Sequence, residues 1–97
     1  MDIISFLRGI KSCRMLYRQR NGVRTHYYEL QATITPAMES ALISVNACVE
    51  NNAFYGGDAR IVINCESLMA LLCRSANHYH IINYANERLY DKRIGEN

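Results

Sequence analysis

From Ser12 to Thr33 apolar and polar residues alternate on both sides of Asn21-Gly22. That is the pattern of two half-buried strands joined by a two-residue turn, both of whose residues tolerate positive φ. So short a loop fixes the register. On one face it sets Arg20 opposite Val23, Arg18 opposite Thr25, Leu16 opposite Tyr27 and Arg14 opposite Glu29. On the other it sets Tyr17 opposite His26, Met15 opposite Tyr28 and Cys13 opposite Leu30. The second face is expected to be core. The first carries the arginines, an exposed Tyr27 and a cross-strand ion pair between Arg14 and Glu29.

The period then changes. Thr35 caps a helix with Pro36 at its first position, where the missing N–H costs nothing. Met38, Ala41, Leu42, Val45, Cys48 and Val49 form one helical stripe that runs to about Asn51 and Asn52. Gly56-Gly57-Asp58 makes a turn before Arg60-Ile-Val-Ile-Asn-Cys65, an apolar run without alternation, as expected of a central strand covered on both sides. A short helix follows from about Ser67 to Arg74, with Leu68, Met69, Leu71 and Leu72 inward. His78 to Tyr84 alternates as a further strand, and Ala85 to Arg93 has helical propensity.

Residues 3 to 11 support two readings. Ile3, Ile4, Phe6 and Leu7 can begin a strand that ends at Arg8-Gly9. Alternatively, Ile3, Phe6, Leu7, Ile10, Cys13 and Tyr17 fit an amphipathic helix capped by Asp2. The strand is preferred, because Gly9 costs a helix about 1 kcal/mol relative to Ala and Asn21-Gly22 needs a partner strand before it.

A chain of 97 residues makes a single domain, 1–97, small enough that dimerisation would help its stability. No low-complexity tract or repeat interrupts it, no apolar run approaches the roughly 18 residues of a membrane span, and no signal-peptide pattern opens it, so the expected location is cytoplasmic. Cys13, Cys48, Cys65 and Cys73 show no CxxC pair and no zinc spacing, and they read as reduced core thiols. Net charge is only +2, yet no acid lies between Asp2 and Glu29, a stretch that holds Arg8, Lys11, Arg14, Arg18, Arg20 and Arg24. Nine of the eleven basic residues are arginine, which suits bidentate contact with phosphate or carboxylate. Seven tyrosines, with two Phe and no Trp, add rings suited to base stacking or to an interface.

Three short motifs resemble the ribonuclease H-like family. Thr35-Pro-Ala-Met-Glu39-Ser-Ala-Leu is similar to its helix start with a metal-binding glutamate, and Ile63-Asn-Cys-Glu66-Ser67 to its next carboxylate corner, with Glu in place of Asp. Asn86-Glu87-Arg88 resembles the opening of its last helix and places Asp91 one residue beyond where the final aspartate would fall. The resemblance implies an α+β (α/β-like) fold, a mixed five-stranded sheet in the order βββαβαβα. It makes Glu39, Glu66 and Asp91 the candidate catalytic and metal-binding residues. Arg8-Gly9 stands where the family has Asp-Gly, the His-bearing loop is missing and the second helical segment is short. Two-metal hydrolysis needs clustered carboxylates around ions roughly 4 Å apart, so an arginine there opposes it. His78 and His80 are read as structural or exposed.

The expectation is therefore a degenerate ribonuclease H-like module without activity, binding nucleic acid through Arg14, Arg18, Arg20, Arg24 and Tyr27. An acidic protein surface is the other partner considered, in a small phage-like inhibitor or adaptor of a host protein. A divergent nuclease comes last. No cofactor is expected, Mg or Mn being needed only for that nuclease, and no membrane contact.

Overall fold

Asn21 and Gly22 take φ of 53° and 79°, the left-handed conformations a tight hairpin turn requires. Around them β1 (Ile10–Arg20) and β2 (Val23–Thr33) pair antiparallel in the register read from the sequence, from Arg20 with Val23 to Cys13 with Leu30. A computed structural model describes residues 2–52 and 58–93. Among them the order is α1 (Ile3–Arg8), β1, β2, α2 (Pro36–Ser44), β3 (Cys48–Asn52), β4 (Asp58–Asn64), α3 (Cys65–Leu72) and α4 (His78–Asp91).

The fold is α+β, but its sheet corrects the expected one. Among the described residues, four strands in the order β1-β2-β4-β3, all neighbours antiparallel, replace five mixed strands, and αββαββαα replaces βββαβαβα. Each difference has a local cause. Residues 3–8 are a helix: the Asp2 carboxylate accepts from the Ser5 N–H at 3.1 Å and takes the Ser5 hydroxyl at 2.6 Å. Gly9 ends that helix, so neither a first strand nor a helix through Tyr17 forms, and Arg8 closes a helical turn rather than a strand.

The Thr35 hydroxyl caps α2 by accepting from the Met38 N–H at 3.1 Å, as expected. The helix stops sooner. Asn46 adopts φ 65°, and the N–H groups of Asn46 and Ala47 turn back to the carbonyls of Ile43 and Leu42 at 2.9 and 3.0 Å. Cys48 and Val49 consequently belong to β3 and not to a helical stripe. In β4 burial alternates residue by residue, so this inner strand is covered on one side only. The Asn64 side chain accepts from Ser67 N–H at 2.7 Å and starts α3 two residues early, and Met69, expected inward, lies exposed beside the buried Leu68, Leu71 and Leu72.

The remaining correction is His78 to Tyr84, which is the beginning of α4 and not a strand. Ile81, Ala85 and Leu89, four residues apart, make its buried stripe. The turn Gly56-Gly57 lies outside the described residues.

One face of the sheet carries the core. Cys13, Leu30, Ala32, Ala59, Ile61 and Ile63 point into the helical layer with Leu7, Leu42, Leu71 and Leu89. A register shift at Lys11 lets Ile10 and Cys13, three residues apart, both face inward. The short α1 is held by Arg88, whose guanidinium donates to the carbonyls of Leu7, Arg8 and Ile10 at 3.2, 3.0 and 3.1 Å. These are carbonyls at and just beyond the helix end, and a cation suits that end. Beside β1, the Cys13 N–H donates to the Lys92 carbonyl at 2.8 Å, where Cys13 and Arg93 form a parallel bridge.

Candidate nucleic-acid interface

Because side chains alternate along a strand, the register that buries Leu30 and Ile61 leaves the opposite sheet face without helices among the described residues. Rows of neighbours cross that face. Leu16, Tyr27 and Asn64 form one row, and Arg14, Glu29, Val62 and Cys48 the next. Arg18 lies across from Thr25 and Arg20 from Val23, toward the turn.

The charges on this face fall into two groups. Toward β3, the Arg60 guanidinium bonds Glu29 at 3.1 Å and lies 3.6 Å from Glu50. The Glu29 hydrogen bond, then its charge, shifts the Arg60 pKa further up. Lys11 meets Asp58 at 2.7 Å, and the Thr33 hydroxyl donates to the same oxygen at 3.1 Å. The bond from Lys11, then that from Thr33, holds the Asp58 carboxyl below its ordinary 3.8. Toward the hairpin turn, by contrast, no acid among the described residues pairs with Arg14, Arg18 or Arg20. The expected Arg14–Glu29 pair is not formed. Register sets the two residues opposite each other, but the carboxylate turns to Arg60 on its other neighbouring strand.

Tyr27 is half-buried rather than exposed, with the Arg18 guanidinium 5.2 Å from its ring centre. Arg24 does not share this surface. It pairs with Gln19, faces the helical side of the hairpin and lies 4.5 Å from the Tyr17 ring. Tyr17 and His26 stack loosely at 6.2 Å. The hairpin extends past the helical layer here, so Tyr17, expected in the core, stays 60 % exposed.

Glu39 is half-buried in the first turn of α2, Glu66 is exposed in the first turn of α3, and Asp91 is exposed at the end of α4. Among the described residues no three His, Cys, Asp or Glu side chains are grouped to hold a metal ion. His78 stacks on Tyr79 at 4.5 Å within α4. None of the four cysteines is in a disulfide, and only Cys13 is buried; Cys48 and Cys73 are exposed and Cys65 half-buried, which corrects their reading as core thiols. Burial, then the neighbouring Cys65, raises the Tyr28 phenol above its ordinary 10.0. Sequence reasoning missed the acids that divide the open face, because their pairing depends on β4 lying between β2 and β3. No helix among the described residues is long and apolar enough to cross a membrane.

No protein-family model, no curated protein and no solved structure matches the chain.

Proposed function

We propose that this chain is a small nucleic-acid-binding domain that lays Arg14, Arg18 and Arg20 along a phosphate backbone, with Tyr27 beside them. The observation that carries this reading is the division of the open face. Its acids are engaged by Arg60 and Lys11, and among the described residues Arg14, Arg18 and Arg20 have no carboxylate partner. Alternate strand positions lie about 7 Å apart, so these guanidiniums form a line rather than a cluster. Each can take a phosphate through two donors at once. The whole chain carries only +2, so attraction to a polyanion rests on this local field and not on net charge.

The test is a binding titration of labelled duplex and single-stranded oligonucleotides over a salt series. Each neutralised phosphate releases condensed counterions, so log K should fall linearly with log salt. Replacing both Arg18 and Arg20 by Ala should reduce the duplex slope by about 1.8, from two contacts at about 0.9 each. Circular dichroism should show the fold intact. Tyr27→Ala should weaken single-stranded binding more than duplex binding, if its ring meets a base. No salt-sensitive binding to either probe at low ionic strength would end this reading in favour of a protein partner.

A further inference from the structure

We propose that the free edge of β2 next to α3 accepts a short, extended, acidic peptide as an added strand. This site uses the backbone edge of the sheet and stands apart from the nucleic-acid reading, which uses side chains of the open face. β2 pairs with β4 from Tyr27 to Thr33 only, because β4 ends at Asn64, where the chain turns into α3. Val23 to His26 therefore have β1 on one side and, among the described residues, no paired strand on the other.

In a hairpin with a two-residue loop, the pair flanking the loop exchanges both backbone hydrogen bonds, and bonded pairs recur at every second position. Arg20–Val23 and Arg18–Thr25 are thus bonded pairs. The N–H and C=O of Arg24, between them, point away from β1. They open on a cleft of about 750 Å³ whose opposite wall is Asn64, Cys65 and Glu66. A strand placed there would continue the line of β4 and join a sheet already formed. Main-chain bonds to Arg24 would supply affinity, and side chains at alternate positions would supply selectivity.

Charge selects the occupant. Arg24 and His26 are exposed on one face of this edge and Arg18 and Arg20 on the other, and none pairs with an acid among the described residues. A second copy of the same edge, antiparallel to the first with Arg24 against Arg24, would set two guanidiniums together, and like charges oppose that pairing. An acidic strand with carboxylates at alternate positions instead sets them on the Arg24 face, across from Arg24. Val23, 64 % exposed, offers apolar area at the turn end. Glu66 on the far wall keeps the acids toward that end.

The test uses three labelled peptides: alternating Glu and Val, alternating Lys and Val, and the Glu–Val peptide N-methylated on alternate amides. Only the first should bind, and the Arg24 amide should become protected from hydrogen exchange when it does. Arg24→Glu should weaken it by about tenfold and transfer preference to the Lys–Val peptide. Equal binding of the N-methylated peptide would reduce the effect to charge alone and overturn the proposal. So would amide shifts centred on the open face, or no binding of any peptide at millimolar concentration.

Discussion

The two ends of the open sheet face are built from the same strands and bear similar cations, yet they differ in what those cations do. Near β3 each one is engaged: Arg60 lies between Glu29 and Glu50, and Lys11 holds Asp58. Near the turn, Arg14, Arg18 and Arg20 face solvent and an aromatic ring. Counting basic residues cannot separate these cases, because Glu29 has Arg14 on one side and Arg60 diagonally across on the other. The inner strand wins that competition, since Arg60 gains two carboxylates where Arg14, on the edge strand, would gain one. Cationic surface is therefore a remainder, left where the topology supplies no acid.

This contrast presupposes that the open face is free of structural duty, and the largest test addresses that. Ile61→Ala, on the covered face of β4, should cost about 2–5 kcal/mol by urea unfolding, as for a buried aliphatic truncation. Arg14→Ala should stay within about 0.5 kcal/mol. Comparable losses would mean that the arginines hold the fold and are not held in reserve. A smaller effect sharpens the division itself. Arg60→Ala leaves Glu29 and Glu50 unpaired, so it should weaken oligonucleotide binding about tenfold, or ~1.4 kcal/mol, without being one of the hairpin arginines. Unchanged affinity would show that the two ends act independently.

The smallest effect concerns the engaged end. The folded Asp58 carboxyl titrates below 3.8, so its contribution to stability is present above that value and is lost as pH falls through the lower folded one. Asp58→Asn should flatten the acid limb of a stability–pH curve slightly and leave the neutral region unchanged. An acid limb identical in both proteins would show that the Lys11 bond adds no stability.

The parts legible in the sequence were those that local chemistry decides. Asn21-Gly22 specifies its own turn and hence nine residues of in-register pairing on each side, and Thr35-Pro36 specifies a helix start. The parts misread depend on a single small residue or on packing. Asn46 ends α2 by taking a left-handed conformation, and missing it turned β3 into two more helical turns. Asn64 caps α3 near the end of what reads as one apolar strand. His78 to Tyr84 satisfies a period of two over seven residues, and only the wider spacing of Ile81, Ala85 and Leu89 identifies the helix. As for the site, the arginines and Tyr27 were visible as a face, but their freedom from acids was not, because it is set by strand order.

The Arg88 contacts also bear on how the chain comes to be folded. They join residues 81, 80 and 78 positions apart, and the backbone bond from Cys13 to Lys92 closes the same loop. The hairpin can zip from its turn within a few residues. The α1 end, however, waits for nearly the whole chain. Such distant pairings are entropically costly to close and slow to form, so a chain still emerging from a ribosome would present a finished hairpin on an unfinished core. Release of residues 88–93 is then the step that completes the domain, and a ribosome-bound chain stalled before Arg88 would be the form most exposed to proteolysis.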